Sequence, residues 1–400
     1  MKTPPEAPAA PPALAACLGR PVAAIDTPAA VIDLDAMERN LARMAAFARS
    51  HGLRLRPHAK MHKSAALARL QMQAGAVGVC VQKTSEAEAL AAAGVTDLYI
   101  SNEVIDPAKL QRVAALARQL HAEGGHLAIA VDSLEGIARL GAAMADNTSG
   151  DDEALPLLDV FVEVDIGQGR CGVPPGEAAV VLAQAIAAHD GLRFAGLQAY
   201  HGRAQHQRGV DERRHAIAHA AQAVQRTRAL IEAAGLPVPL VTGAGTGTFA
   251  LETASGVWGE LQAGSYLFMD ADYAANVHDP AQPAFEHALF IKSQVISAGA
   301  THAVCDAGHK SHAIDSGLPR VHALPGQGAM TFANGGDEHG ILHLAEAGGE
   351  LPKIGDTVWL IPGHCDPTVN LHDGLIGVRG GLAQGTVERI IRVDARGALT

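Results

Sequence analysis

The stretch LRLRPHAKMHKS, residues 53–64, passes directly from a strand-like pattern into a basic cluster. Its first residues have the character of a short β-strand, and Pro57 marks the end of that strand. Lys60 follows three residues later, with His58 and His62 on either side. Such a lysine is either an ordinary solvated side chain or an amine held at a strand end for carbonyl chemistry. The rest of the sequence decides between these interpretations.

Eight short runs have the character of β-strands, and most of them are apolar on both faces, as strands of a buried parallel sheet should be. They are 53–59, 77–82, 98–102, 127–132, 160–165, 194–200, 240–245 and 260–266. Alanine-rich segments with helical spacing lie between them, such as 85–94 and 211–235. Gly94 and Gly235 stand where these helices are expected to end. Strands that alternate with helices in this way predict an α/β fold, a (β/α)₈ barrel of the TIM type.

Polar residues follow the predicted strands at their carboxyl ends, the face on which barrel enzymes build their sites. These residues are Lys60, Gln82, Asn102, Asp132, Asp165, Tyr200 with His201, Gly245 with Thr246, and Gly264 with Ser265. One polar residue after a strand indicates no more than a turn. A polar group at every strand end predicts a common site.

The two ends of the chain differ from the barrel pattern. Residues 1–26 are rich in proline and small residues and lack the apolar core of a signal peptide, which predicts a flexible tail. The barrel is predicted over 27–275. From 276 to 400, short β-like runs are separated by Gly, Pro, Asp and His, which predicts a smaller all-β domain.

Composition narrows the class of protein. The 400 residues carry a formal net charge of −11, which argues against a nucleic-acid-binding surface. No apolar run reaches the roughly 18 residues of a membrane span. The five cysteines are widely spaced and form no CxxC, as expected for reduced thiols. We therefore expect a cytoplasmic protein that acts on small molecules, without nucleic-acid or membrane partners.

Two glycine-containing turns form a candidate phosphate site. VTGAGTGT (241–248) follows the seventh predicted strand, and AGSY (263–266) follows the eighth. Backbone N–H groups in such turns bind phosphate, and TIM barrels carry phosphate after these two strands. The predicted contacts are Gly245, Thr246, Gly264 and Ser265, with Tyr266 close by.

A lysine and an arginine complete a candidate site for pyridoxal phosphate. Lys60 can form a Schiff base with this cofactor if its amine is partly unprotonated. The nearby cations Arg56, His58, His62 and Lys63 are expected to lower its pKa. Arg170, in the glycine-flanked loop of VDIGQGRCGV (164–173), could contact the cofactor ring or its phenolate oxygen, or could be an ordinary surface residue.

The segment PGHCDPTVNLHD (362–373) contains a candidate metal pair. If the segment is extended, His364 and Asp366 face one side and Cys365 faces the other. One imidazole and one carboxylate leave positions for water and substrate, which suits Mn²⁺, with Mg²⁺ or Co²⁺ as alternatives, better than a closed zinc site. His372 with Asp373 is an alternative pair.

Nine motifs occur in order from about residue 27 to the C-terminus: RPHAKMHKS, VQKTSEAEA, ISNEV, VEVDIGQGRCGV, GLQAYHGRAQH, TGAGTGT, ELQAGSYLFMDADY, DEHG and PGHCDPTVNLHDGL. Together they resemble the fold-type III pyridoxal-phosphate enzymes, whose barrel is like that of alanine racemase. More closely, the chain resembles the family of D-threonine aldolase, 3-hydroxy-D-aspartate aldolase and metal-dependent D-serine dehydratase.

The resemblance implies roles for individual residues. Lys60 would be the Schiff-base lysine, and His364 with Asp366 would hold the metal. His206 would be the acid/base that handles the β-hydroxyl of the substrate, and Tyr200 would lie beside the cofactor together with Gln82 and Arg170. Asp337 and His339 of DEHG are expected near the metal, without assigned roles. The family also implies a homodimer in which each site is completed by the partner chain.

The expected activity is that of a carbon–carbon lyase. It would cleave β-hydroxy-D-α-amino acids, as D-threonine aldolase does, to glycine and an aldehyde. The alternatives are a 3-hydroxy-D-aspartate aldolase, which releases glyoxylate, and a D-serine dehydratase, which releases pyruvate and ammonia. In the dehydratases of this family, the resemblance implies an H-x-C pattern in which a cysteine is the second ligand and the metal is zinc. This chain has Asp366 at the position of that second ligand, so the aldolases are favoured.

Overall fold

The computed structural model describes residues 12–146, 158–324, 328–346 and 349–400. The first described elements are helix α1 (Pro12–Ala15), strand β1 (Ala29–Asp33) and helix α2 (Leu34–Ser50). The carboxylate of Asp33 accepts a hydrogen bond from the N–H of Ala36 at 3.1 Å. Asp33 therefore both ends the strand and caps the helix that follows.

The eight strands predicted for the barrel are all present in one parallel sheet. They are β2 (Arg54–Leu55), β3 (Val79–Val81), β4 (Asp97–Ile100), β5 (His126–Val131), β6 (Leu158–Glu163), β7 (Leu192–Ala199), β8 (Val241–Gly243) and β9 (Glu260–Leu261). β2 pairs with β9. The sheet closes because the N–H of Cys80 in β3 donates to the carbonyl of Pro57, just beyond β2, at 2.9 Å. The predicted (β/α)₈ barrel is therefore confirmed.

Helices follow the barrel strands as the apolar spacing predicts. They are α3 (Ala65–Gln73), α4 (Thr84–Ala92), α5 (Pro107–Ala122), α6 (Leu134–Asp146), α7 (Glu177–Ala187), α8 (Val210–Ala233), α9 (Phe249–Ser255) and α10 (Ala271–Ala274). Gly94 and Gly235 follow α4 and α8 with φ of 86° and 87°. Glycine adopts this left-handed conformation without steric cost, so both helices end where expected.

A second, mostly antiparallel sheet forms the C-terminal region together with helix α11 (Cys365–Val369). Its strands are β10 (Leu289–Ala298), β11 (Ala303–Cys305), β12 (Arg320–His322), β13 (Met330–Asn334), β14 (Gly340–Leu344), β15 (Thr357–Ile361), β16 (Gly374–Arg379) and β17 (Thr386–Arg392). β1 also belongs to this sheet, between β10 and β16. The C-terminal region is thus tied to the start of the chain.

Part of the predicted tail packs against the second sheet. The N–H of Gly19 donates to the carbonyl of Val387 at 2.9 Å, and Val22 and Ile25 are buried. Residues 1–11 lie outside the described part of the chain. None of the helices in the described ranges combines the length and apolar character that a bilayer crossing requires.

Candidate active site

One cavity of about 350 Å³ opens at the carboxyl ends of the barrel strands. The strand ends supply most of its wall, and α11 of the second sheet region closes one side. Among the predicted site residues it is lined by Lys60, Gln82, Arg170, Tyr200, His206, Gly245, Thr246, Gly264, Ser265, His364 and Asp366. The structure thus brings eleven of the twelve predicted residues to one place.

Lys60 lies in a short 3₁₀ turn, Ala59–Met61, directly after β2. Its Nζ is 3.2 Å from Oδ2 of Asp366, so the barrel lysine and the α11 carboxylate form an ion pair across the cavity. The charge of Asp366 raises the pKa of Lys60 above its ordinary value. This is the opposite of the expected shift.

The four neighbours that were expected to lower this pKa act differently. Arg56 is buried in ion pairs with Glu260 and Asp97, and Lys63 pairs with Glu86 at 3.0 Å. Burial holds the pKa of His58 well below its usual value and lowers that of His62 to about 4, so both imidazoles are neutral. The prediction was wrong because sequence neighbours of Lys60 have their own partners.

His58 forms part of the cavity wall although the sequence did not assign it to the site. The side-chain amide of Gln82 donates to its Nε2 at 2.8 Å and also lies 3.2 Å from Oγ of Ser101. These contacts fix a neutral imidazole beside Lys60. Gln82 therefore acts in this chain by orienting His58 as well as by lining the cavity.

The two glycine-containing turns lie side by side and have the properties of a phosphate cradle. In the described residues, the N–H groups of Gly245, Thr246 and Gly264 donate no hydrogen bond. A Cβ on Gly264 would lie 2.6 Å from the carbonyl oxygen of His58, and one on Gly245 would overlap the Gln205 side chain. Glycine is needed at both positions because a side chain would collide with these neighbours. The unpaired N–H groups of the turns are available to bind an anion.

Tyr266 does not line the cavity. Its side chain is fully buried, and its hydroxyl accepts a hydrogen bond from Gln71 at 3.2 Å. Its backbone N–H donates to Oγ1 of Thr246 at 3.1 Å, so it joins the two turns. The Tyr266 ring packs into the apolar core, so this residue supports the two turns and does not line the cavity.

Arg170 and Tyr200 face each other across the cavity. The guanidinium carbon of Arg170 is 5.9 Å from the centre of the Tyr200 ring, a cation–π distance. Its Nη2 is 3.9 Å from Oε1 of the buried Glu163. Burial raises the pKa of Tyr200, and the charges of Lys60 and Arg170 oppose this rise. Tyr200 is therefore a neutral phenol at the cavity wall.

His206 lies at the end of a 3₁₀ turn, Gly202–His206, and is held by a carboxylate that the sequence did not identify. Its Nδ1 donates to Oδ2 of Asp272 at 2.6 Å. The Asp272 side chain is only 8% exposed, and its other oxygen pairs with Arg208. Asp272 thus holds the imidazole ring through Nδ1 and leaves Nε2 to accept a proton, which is the geometry of an oriented general base.

His364 and Asp366 lie at the start of α11 rather than in an extended segment. His364 caps the helix, and Asp366 is in its first turn. The two side chains nevertheless converge, with 3.6 Å between Nε2 of His364 and Oδ1 of Asp366. The expected alternation was wrong because residues 365–369 form a helix, whose first turn accommodates Pro367. Cys365 is fully buried, away from both.

The His364–Asp366 pair fits a divalent cation in two ways. In the described part of the chain, Oδ1 of Asp366 is buried without a hydrogen-bond partner. Nδ1 of His364 donates to Oδ2 of Asp315 at 2.7 Å, which leaves Nε2 as the ligand atom. A carboxylate behind a metal-binding histidine is the usual orienting device. Asp315 was missed because it lies 49 residues away in sequence.

The other residues predicted to bind or lie near the metal are outside the cavity. Nε2 of His372 donates to the carbonyl of Ser311 at 2.9 Å, and Asp373 pairs with Arg396, so the alternative pair does not form. Asp337 contacts His309 at 2.9 Å and is 61% exposed. Neither Asp337 nor His339 lines the cavity of the described chain.

A separate acidic cluster lies near the loops after β4, β5 and β6. The side-chain oxygens of Glu103 and Asp132 and the sulfur of Cys171 lie within 4.8 Å of one another. Burial raises the pKa of Cys171 to about 11, so the thiol is protonated. None of these three residues lines the cavity of the described chain, whereas His364 and Asp366 both do, which favours His364 with Asp366 as the metal pair.

Several cavity residues were absent from the prediction: His58, Met61, Ser101, Gln168, Gln198, Gly202, Arg203, Ala244, Gln262 and Tyr273. Gln198 and Gln262 lie within predicted strands 194–200 and 260–266 and bond to each other at 2.8 Å. Polar residues inside otherwise apolar barrel strands were the available signal, because such side chains must face a polar interior.

Two family models match the chain. The model for the alanine racemase N-terminal domain matches residues 32–272. The model for a serine dehydratase domain matches residues 288–378.

Curated proteins of similar sequence are named as aldolases or, at lower identity, as a dehydratase. A 3-hydroxy-D-aspartate aldolase of Paracoccus denitrificans (strain Pd 1222) is 42% identical, covering 93% of this chain and 92% of that protein. A D-threonine aldolase of Arthrobacter sp. is 43% identical, covering 95% of each. A D-threo-3-hydroxyaspartate dehydratase of Delftia sp. (strain HT23) is 34% identical, covering 86% of this chain and 92% of that protein.

A crystal structure has the same fold. That of D-threonine aldolase from Filomicrobium marinum superposes with a TM-score of 0.89 at 47% identity, covering 96% of this chain and 99% of that one.

Proposed function

The chain belongs to the family of D-threonine aldolases and 3-hydroxy-D-aspartate aldolases with an alanine racemase-like barrel, and on this premise we propose that it cleaves β-hydroxy-D-α-amino acids to glycine and an aldehyde. The observation that carries the proposal is the convergence of Lys60, His206, His364 and Asp366 on one cavity. An amine, a base and a metal pair are the groups that this cleavage requires.

The residues present fit pyridoxal phosphate and a divalent cation. The phosphate would lie against the turns of Gly245 and Gly264, with Lys60 as the attachment point, and His364 with Asp366 would hold Mn²⁺, or Mg²⁺ or Co²⁺. When bound, the cofactor supplies a sink for the electron pair of the broken Cα–Cβ bond, and the metal supplies a Lewis acid for the β-hydroxyl.

The chain's own groups position the substrate and move its protons. His206, oriented by Asp272, accepts the proton of the β-hydroxyl at Nε2. The electron pair of that O–H bond becomes part of the aldehyde carbonyl as the Cα–Cβ bond breaks. Arg170 and the neutral Tyr200 and His58 form walls of the cavity and would contact the cofactor there.

Two features favour an aldolase over a dehydratase. The aldolases among the similar proteins are 42–43% identical, whereas the dehydratase is 34% identical. The second residue of the metal pair is a carboxylate, Asp366, which prefers harder cations than a thiolate does. The neighbouring Cys365 is buried outside the cavity, so it is not a substitute ligand.

A product assay tests the proposed function. The purified protein is incubated with pyridoxal phosphate, Mn²⁺ and D-threonine, D-3-hydroxyaspartate and D-serine in equal amounts, and the products are identified by NMR. We expect glycine with acetaldehyde or glyoxylate. Pyruvate as the main product would contradict the aldolase assignment and support a dehydratase.

Asp272 gives a prediction about the base. Asp272→Asn is expected to lower kcat about 10²-fold with little change in KM, because His206 loses the carboxylate that fixes its ring orientation. The absorption of the bound cofactor should not change. Arg208→Gln is the matched control, since it removes the other partner of the same carboxylate, and should cost less than about fivefold. A raised KM at unchanged kcat would show that Asp272 serves binding instead.

We also propose that the enzyme acts as a homodimer whose sites are completed by the partner chain. The support is the family resemblance and the position of Asp337 and His339 in the turn between β13 and β14, outside the cavity of their own chain. Light scattering coupled to size-exclusion chromatography should give twice the chain mass. Full activity of a monomer would contradict the proposal.

A further inference from the structure

Arg203 lines the cavity and has no ion-pair partner among the described residues. It lies in the turn Gly202–His206, is exposed, and lines the cavity. Its guanidinium is engaged by no ion pair or hydrogen bond among the described residues. The other two cations of the cavity differ, since Lys60 pairs with Asp366 at 3.2 Å and the guanidinium of Arg170 lies over the Tyr200 ring, 5.9 Å from its centre. Arg203 is thus the cation available to an anionic ligand.

The position of Arg203 relative to His206 indicates which part of a ligand it would meet. In a 3₁₀ turn, side chains three residues apart lie on the same side. Arg203 and His206 have this spacing and both line the cavity. The turn is held in place by Gln168, whose Oε1 accepts the N–H of Gly202 at 2.8 Å. A group bound by Arg203 therefore lies next to the group on which His206 acts.

The guanidinium also reaches the loop after β6. A Cβ on Gly169 would lie 3.7 Å from Nη2 of Arg203. The phosphate turns around Gly245 and Gly264 belong to other strand ends, after β8 and β9. Arg203 is accordingly placed at the substrate side of the cavity, beside the loop that carries Arg170.

We propose that Arg203 binds a carboxylate on the β-carbon of the substrate, so that the preferred substrate class is β-hydroxy-D-amino acids with an acidic side chain. This rests on the proposed function, in which His206 acts on the β-hydroxyl of the same carbon. A guanidinium binds a carboxylate through two parallel hydrogen bonds, which gives selectivity over a methyl group. For 3-hydroxy-D-aspartate, cleavage gives glycine and glyoxylate. The β-hydroxyl proton leaves, Cα gains a proton, and no oxidant is needed.

The test compares two substrates in the holoenzyme. The wild type should have the higher kcat/KM for D-3-hydroxyaspartate than for D-threonine. Arg203→Gln should lower kcat/KM for D-3-hydroxyaspartate about 10- to 100-fold and change that for D-threonine less than about threefold. Arg203→Lys, which keeps the charge without the fork, should fall between. Arg49→Gln is the matched control, because Arg49 is an exposed arginine at the end of α2, outside the cavity.

Equal losses on both substrates would overturn the proposal, since they would place Arg203 against a group common to both. An unchanged kcat/KM for the acidic substrate would also overturn it.

A binding measurement separates failure of the role of Arg203 from failure of the proposed function. D-Aspartate and D-2-aminobutyrate lack the β-hydroxyl, and their binding is followed by the absorption of the bound cofactor. Arg203→Gln should weaken only D-aspartate; equal effects on the two ligands would refute the role of Arg203 even if no cleavage occurs.

Discussion

Replacing Lys60 with alanine is expected to lower kcat by at least about 10³-fold and to change the absorption of the bound cofactor. Lys60 is the lysine of the described chain that reaches the cavity, and its Nζ is directed across it to Asp366. Under the proposed function Lys60 would attach the cofactor, so removing its amine would leave only the phosphate turns and the cavity walls to hold it. Absorption spectra before and after dialysis measure the attachment, and initial rates measure kcat.

Lys63 provides a control from the same stretch of sequence. Its Nζ is 3.0 Å from Glu86 and 3.3 Å from the carbonyl of Ala395, away from the cavity. Lys63→Arg keeps this charge. It should leave the absorption spectrum of the bound cofactor unchanged and kcat within about twofold of the wild-type value. If Lys60→Ala retained the cofactor after dialysis and Lys63→Arg lost it, the wrong lysine would have been assigned.

The barrel could be predicted because its strands carry strong local signals. Most of the eight predicted runs are continuously apolar, as buried parallel strands usually are, and all eight became strands. The position of β1 could not be predicted in this way. Ile32 pairs with Leu289 of β10, so the assignment of residues 29–33 to the second sheet depends on a partner far along the chain.

The candidate site was predictable to the extent that its residues follow strands. Lys60, Gln82, Tyr200 and Gly245 line the cavity because strand ends meet at one face. The groups that tune them were not predictable, because they come from distant segments.

The pKa of Lys60 illustrates this limit. Four nearby basic residues suggested that it would be lowered, but Asp366, about 300 positions away in sequence, raises it. The orienting carboxylates Asp272 and Asp315 likewise contact their histidines across long separations. Sequence spacing predicts candidate site residues, and tertiary contacts decide their protonation and orientation.

Removing the divalent metal is expected to reduce cleavage by at least about 10³-fold while pyridoxal phosphate stays bound. The metal pair lies on α11 of the second sheet region, and the phosphate turns lie on the barrel, so the two groups have separate anchors. The protein is treated with EDTA and dialysed, and metal content, cofactor absorption and kcat are measured. Full activity at metal contents below about 0.05 per chain would contradict a catalytic metal.

Variants of the metal pair locate this site independently of activity. Asp366→Asn and His364→Ala should each weaken Mn²⁺ binding about 10- to 100-fold by calorimetry, since each removes one of two protein ligands. Asp315→Asn should weaken binding less, because it removes only the carboxylate that orients His364. Asp373→Asn is the control, since Asp373 is exposed and pairs with Arg396.

The geometry of the pair explains the expected loss. Nε2 of His364 and Oδ1 of Asp366 lie 3.6 Å apart, and Oδ1 lacks a hydrogen-bond partner in the described chain, so a small cation bound by both would satisfy both atoms at once. Weakened binding in Asp373→Asn, with Asp366→Asn unaffected, would move the site to the alternative pair.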